Sequence, residues 1–399
     1  MSTCKNKEVE TLIKNQFILT QEQLEGFPLM NRLMEHELHE IKSFTLFDNE
    51  NGIGLIYVTK DDEVFGVGAN GKYNLLGVSG HFYKCERVER PVRIEGLCGK
   101  EIVSISMGCT IGAAIDATGR VYTWGKELFV LDDIRFPSCE SSREIQLISC
   151  GHAFLALLGK NGNVRLSGDG MIWKEQEPVV HLSCGHYHMA MLGVSGNVYT
   201  WGQNRYSQRS CRRYSRFQDE RTVTKIVFDH PCSSVSCGLF STYFLTNSGE
   251  LWACHLNVKS NQNRVAVPEK VDIKEKVVKL LTASKNSQYC SYMAVTENDN
   301  LWIWDWKNQG TPRLSHVENI AGICKASIPH NVMFQVKIVP KNDVFVKPLS
   351  KLILEKLEIV KRLCDEVRKD CHDLEAVVED SLCVYSYQSM GCMSLDESK

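Results

Sequence analysis

The stretch His181-Leu-Ser-Cys-Gly-His-Tyr-His-Met-Ala-Met-Leu-Gly-Val-Ser-Gly-Asn-Val-Tyr-Thr-Trp-Gly202 decides how this chain is read. An apolar run ends at Cys184-Gly185. A second run carries Met189, Met191 and Val194 to a tight turn at Ser195-Gly196-Asn197, and a third, Val198-Tyr-Thr-Trp201, stops at Gly202. Two short apolar runs around a glycine turn predict an antiparallel hairpin, with the first run as a strand beside it.

The same grammar recurs along the chain. The third run reappears as Asp61-Asp-Glu-Val-Phe-Gly-Val-Gly68, Thr118-Gly-Arg-Val-Tyr-Thr-Trp-Gly125, Asn161-Gly-Asn-Val-Arg-Leu-Ser-Gly168, Ser248-Gly-Glu-Leu-Trp-Ala-Cys-His255 and Asp299-Asn-Leu-Trp-Ile-Trp-Asp305. The ends of successive copies lie 57, 43, 34, 53 and 50 residues apart. A period of about 40–50 residues with several strands per unit is the mark of propeller blades. The first run recurs too, ending at Gly108, Gly151, Gly185 and Gly238. A half-copy, Ile323 to Ile338, has strands but no glycine turn. Six copies and a half predict an all-β, seven-bladed β-propeller over residues 41–340. Its last blade is completed by the N-terminal strand near Phe44-Thr-Leu-Phe47, which removes an open sheet edge.

Composition is that of an ordinary globular protein, 43% hydrophobic and 24% charged. The net charge of −2 argues against a nucleic-acid binder. No run reaches the roughly 18 apolar residues of a membrane helix, and Met1 to Glu10 shows no apolar signal region. An intracellular protein, cytoplasmic or nuclear, is expected. The 17 cysteines include no C-x-x-C pair. Cys150, Cys184 and Cys237 share a Ser-Cys-Gly context, which makes them strand positions where a thiol acts as a small hydrophobe.

Gly-x-Val-Tyr-x-Trp-Gly after an apolar-Cys-Gly strand resembles the repeat of the regulator of chromosome condensation family. Trp201-Gly-Gln-Asn204 and Gly68-Ala-Asn70 extend the likeness, with Leu75 where the family has its leucine. Ile56 to Phe65 and Glu95-Gly-Leu-Cys-Gly-Lys100 look most like the propeller of proteins that join these repeats to a BTB domain, although no BTB-like sequence follows residue 340. The resemblance implies a seven-bladed propeller that works as an interaction protein. From its founding member it also implies nucleotide exchange on a small GTPase, and from the BTB-linked proteins an adaptor role toward a cullin-type ubiquitin ligase. It further implies that His188 is structural.

Residues 1–40 are expected to be a helical segment, because Val9, Leu12, Ile13 and Phe17 share one helical face. Residues 341–399 are read as a helical tail. Ile353, Leu357, Val360, Cys364, Val367, Cys371, Leu374 and Val378 alternate four and three apart, a coiled-coil seam over 353–378 for self-association or for docking on the chain's own propeller.

No G-x-S-x-G, P-loop, H-E-x-x-H or protein-kinase motif appears, and no enzyme is expected. Gly66-Val-Gly68-Ala-Asn-Gly71 matches G-x-G-x-x-G, but the run from Tyr73 to Gly80 is too short and glycine-interrupted for the helix a phosphate cradle needs. His186 and His188 could pair on a metal, but Phe154 holds the place of His188 in the third copy, so no ligand set repeats and neither a metal nor any cofactor is expected. The one basic cluster, Arg205, Arg209, Arg212, Arg213 and Arg216, lies in the long connection after the fourth copy and is the candidate partner-binding site, suited to an acidic partner. Gly68, Gly125, Gly202, Gly151, Gly185, Gly238, Trp124 and Trp201 are read as structural repeat positions. The expected function is non-catalytic: a rigid ring whose rim loops, 205–221 and 126–144 first, hold a protein partner.

Overall fold

The computed structural model describes residues 16–49, 51–79, 82, 84–125, 145–167, 172–173, 177–204, 209, 222–254, 268–282, 291–298, 300–305, 313–314 and 332–336. The chain divides into two compact units, Met1–Ile338 and Val339–Lys399, and the second lies outside the described residues.

Six sheets are present among the described residues. Sheet I holds β2 (Ile41–Asn49), β3 (Gly52–Thr59), β4 (Val64–Ala69) and β5 (Arg87–Arg93) in that order, with β25 (Met333–Val336) and then β1 (Gln16–Leu19) added on the β2 side. Sheet II is β6 (Ile102–Met107), β7 (Ile111–Asp116) and β8 (Val121–Gly125). Sheet III is β9 (Ile145–Cys150), β10 (Leu155–Gly159), β11 (Val164–Leu166) and β12 (Ile172–Trp173). Sheet IV is β13 (Val179–Cys184), β14 (His188–Gly193), β15 (Val198–Gly202) and β16 (Thr224–Lys225). Sheet V is β17 (Cys232–Cys237), β18 (Thr242–Thr246), β19 (Leu251–Cys254) and β20 (Glu269–Lys270). Sheet VI is β21 (Val277–Thr282), β22 (Ser291–Thr296), β23 (Leu301–Asp305) and β24 (Arg313–Leu314).

Successive side chains of a strand point to opposite faces, and here both faces are buried. On β14, Met189 and Met191 pack with Leu158 and Val164 of sheet III, whereas Ala190 and Leu192 pack with Val235 and Phe244 of sheet V. β14 is therefore buried along its whole length rather than at every second residue. The same holds around the molecule, where one apolar cluster separates each consecutive pair of sheets. Met293, Leu301 and Ile303 of sheet VI join Phe44, Tyr57 and Phe334 of sheet I, so the succession closes on itself. At that joint the Phe44 and Phe334 rings stack at 5.0 Å, with Phe27 edge-on to both.

Each sheet repeats one irregularity. The pairing of its first two strands shifts register near the start, at Ile41/Ser43, Ile102/Ser104, Leu158/Gly159, Val179/His181, Cys232/Ser234 and Val277/Lys279. A bulge at this point increases the local twist of the blade. It also accounts for Val278, the extra residue in β21, being exposed.

The structure bears on two expectations. The half-copy's strand does pair with the N-terminal strand, Phe334 opposite Phe44 and Met333 opposite Thr45, but it does so inside sheet I. No separate seventh sheet stands among the described residues. Phe17 lies in a strand, not a helix: β1 pairs parallel with β25. The helices of the N-terminal segment are short, Gln21–Leu24 and Glu35–Glu40, with the 3-10 turn Met30–Arg32 between them. Val9, Leu12 and Ile13 lie outside the described residues, as does the whole tail with its seam.

Candidate functional site

Pairing defines two ends of the ring. Gly202 lies opposite His188 and Gly125 opposite Ile111, so the third strand finishes where the loop between first and second strands turns. The connections after β8 and β15 depart from this end, and the tight hairpin turns sit at the other.

The Ser-Cys-Gly signature is a fastening between neighbouring sheets. The Cys150 N–H donates to Ser106 Oγ at 2.8 Å, Cys184 N–H to Ser149 Oγ at 3.0 Å, and Cys237 N–H to Ser183 Oγ at 3.0 Å. The glycines after them allow the backbones to come close. A Cβ on Gly185 would strike the Gly238 carbonyl oxygen, and one on Gly108 would strike that of Gly151. His188 is fully buried and reaches the next sheet, its Nε2 lying 3.0 Å from Thr242 Oγ1. One sheet on, Ser241 Oγ meets Tyr292 OH at 2.6 Å. Trp124, Trp201 and Trp304 are buried. Trp124 Nε1 donates to the Leu75 carbonyl at 2.8 Å and Trp304 Nε1 to Tyr243 OH at 3.0 Å.

The loops between first and second strands build a row of rings. The His152 and His186 centroids are 4.3 Å apart, Tyr187 lies 4.2 Å from His186 and 5.2 Å from His152, and Phe240 is 6.3 Å from His186. Their backbones are laced together, Thr110 N–H to the His152 carbonyl and His152 N–H to the His186 carbonyl. Tyr187 is 42% exposed, a large exposed aromatic on a fixed loop. This row spans sheets III, IV and V. The sequence signal for it is the aromatic and imidazole residues within three positions after Gly151, Gly185 and Gly238.

Arg209 is not an exposed partner contact. It is 2% exposed, and its guanidinium donates to the carbonyls of Gly202 (2.7 Å), Thr222 (2.6 Å) and Thr200 (3.5 Å) and to Thr224 Oγ1 (2.8 Å). Its own N–H donates to Asn204 Oδ1. The forked, planar cation suits a site made of several backbone carbonyls. Arg205, Arg212, Arg213 and Arg216 lie outside the described residues, as do 126–144.

At the opposite end, carboxylates lock the hairpin turns. Glu177 accepts from Ser195 N–H and Oγ, Asn197 Nδ2 and Tyr199 OH. Burial alone raises its pKa, but these donors outweigh it and bring the carboxyl down to about 2. Glu275 does the same for Thr296, Asn298, Asn300 and Trp302. No group of three or more His, Cys, Asp or Glu side chains placed to hold a metal is found among the described residues. No helix among them is long and apolar enough to cross a membrane.

The family model described as Regulator of chromosome condensation (RCC1) repeat matches residues 179–208. The chain carries a regulator of chromosome condensation repeat. The matched segment is sheet IV from β13 through β15, which also contains His186, Tyr187 and the buried His188. Among solved structures, Prp20p from Saccharomyces cerevisiae superposes with a TM-score of 0.54 at 15% identity, over 80% of this chain and 85% of that one. Human WBSCR16 superposes with a TM-score of 0.52 at 14% identity, over 69% of this chain and 81% of that one. At such identity the likeness establishes the fold, a β-propeller of these repeats, with the repeated glycines at the turns and close approaches just described.

Proposed function

We propose that this protein is a non-catalytic interaction scaffold that receives a protein partner at the end of the ring bearing His152, His186, Tyr187 and Phe240. The observation that carries this reading is the exposed Tyr187 in a row of rings, on loops laced by backbone hydrogen bonds. Rigid loops holding aromatic side chains bind with little ordering cost, and Tyr is enriched among residues that dominate interfaces. The connection holding Arg212, Arg213 and Arg216 departs from the same end, which favours an acidic partner. We place the protein in the cytoplasm or nucleus, with the seam of residues 353–378 as a second contact for self-association.

The test is capture of partners by the full chain and by three variants. Tyr187→Ala and the triple change Arg212→Ala, Arg213→Ala, Arg216→Ala should lose a partner that Val194→Asp, at the other end, retains. Equal capture by all of them would overturn the reading.

A second reading, nucleotide exchange on a small GTPase, is favoured by the likeness to Prp20p, whose structure was described together with its binding to Gsp1p and histones. Accelerated release of labelled guanine nucleotide from a small GTPase would support it, and unchanged release would leave the scaffold role.

A further inference from the structure

The partner-facing loop and the buried arginine are joined through a short run of backbone. Arg209 Nη1 holds the Gly202 carbonyl, and the next residue, Gln203, donates its N–H to the Tyr187 carbonyl at 2.8 Å. Gly202 itself, at φ +97°, sits so close to Tyr187 that a Cβ would strike the Tyr187 carbonyl oxygen. On its other side the same guanidinium holds Thr222 and Thr224, at the entry to β16. β16 in turn pairs with Tyr199 and Thr200 of β15. One side chain therefore spans the end of β15, the start of β16 and, one hydrogen bond further, the aromatic loop.

We infer that Arg209 is a positioning residue for the Tyr187 loop: its fork fixes Gly202 and Gln203, and they fix the height and tilt of the exposed ring. The inference rests on the reading that this end of the ring receives the partner. The chemistry needed is the fork and not the charge alone. A lysine ammonium at the same place is a point charge on a flexible stem and cannot hold Gly202 and Thr222 in fixed directions at once. The first copy of the repeat shows that an apolar residue can fill the corresponding position, since the buried Leu76 donates its N–H to Asn70 Oδ1 as Arg209 donates its own to Asn204 Oδ1. The arginine is thus not required merely for a chain to turn here.

The experiment uses the full chain and three variants, Arg209→Lys, Arg209→Leu and Thr224→Val, the last removing one acceptor while leaving the arginine. Amide hydrogen exchange is followed in peptides covering 184–188 and 202–204, with β9 and β10 as the internal reference. Exchange at Gln203 should rise roughly tenfold in Arg209→Lys, and by less in Thr224→Val, while the reference peptides keep the wild-type rate. Should Arg209→Leu fail to fold, the other two variants carry the test. Unchanged exchange at Gln203 in Arg209→Lys would overturn the inference without touching the scaffold reading. Partner capture is measured in parallel. Loss in both Tyr187→Ala and Arg209→Lys is the expected result. Loss in Tyr187→Ala with full capture by Arg209→Lys rejects the positioning role and leaves the scaffold, whereas full capture by Tyr187→Ala rejects the scaffold reading and the positioning role with it.

Discussion

The connection after β4 and the connection after β15 begin alike, Gly68-Ala-Asn70 and Gly202-Gln-Asn204, and then part. In the first, Asn70 Oδ1 accepts from Leu76 N–H, and the chain is held down by Leu75, 1% exposed in the cluster that contains Trp124. In the second, Asn204 Oδ1 accepts from Arg209 N–H, and the buried group is a guanidinium. Trp124, which covers Leu75 from the next sheet, has Cys254 as its counterpart one sheet beyond sheet IV. An apolar anchor is non-directional and depends on volume. A guanidinium anchor is directional and depends on particular oxygen atoms. The same turn of chain is thus fixed by two different kinds of force, and only the second links one chosen backbone atom to another.

Exchanging the anchors should break this comparison most severely. Leu75→Arg places a cation among Leu76, Ile94 and Trp124 and should cost more than about 4 kcal/mol in urea unfolding, enough to leave the ring largely unfolded. Leu75→Ala, which only empties space, should cost about 2–5 kcal/mol. Arg209→Leu leaves the Gly202 and Thr222 carbonyls without the fork and should cost about 1–3 kcal/mol. A Leu75→Arg variant as stable as Arg209→Leu would mean that the two sites are not different in kind. Ser149→Ala removes the acceptor of Cys184 N–H between sheets III and IV, and a loss of about 1–2 kcal/mol is expected by the same assay. It asks whether a fixed polar link between sheets matters as it does within a connection.

The smallest expected effect is a pH slope. The Glu177 carboxyl is held below its ordinary range, at about 2, by the turn donors. A lowered folded-state pKa contributes stability that is complete above the ordinary carboxylate value and is lost as pH falls from about 4.5 toward 2. Glu177→Gln should flatten the acid side of the stability profile in that window and leave the neutral side parallel to wild type. An unchanged acid slope would show that the turn donors are not bonded to this carboxylate.

Much of the ring was legible because its physics is local. Period-two apolar runs and glycines such as Gly196, at φ +86°, announce hairpins without knowledge of any partner. What joins one hairpin to the next was not legible. Ser149 reads as a small strand residue until the N–H of Cys184 is found on it. Counting repeats predicts seven blades, and six sheets stand among the described residues. Spacing counts strands, but it does not say which sheet a strand joins, and β25 joins the first. Phe17 fell on a helical face with Val9, Leu12 and Ile13, yet its partner is Phe334, far along the chain. Charge groups Arg209 with its neighbours, whereas its bond to Asn204 Oδ1 places it with Leu76, which makes the same bond to Asn70. Position within the repeat was the better guide than residue type.

The sheets hold one another around a closed ring, with the joint at Phe44 and Phe334. The most direct test is amide exchange of β14, in sheet IV, in a Phe334→Asp variant. Opening the joint should raise exchange in β14 as well as in β2, because every sheet relies on two neighbours. Exchange confined to β2, β25 and β1, with β14 protected as in wild type, would mean that the sheets stand independently and that no closed ring supports the Tyr187 end.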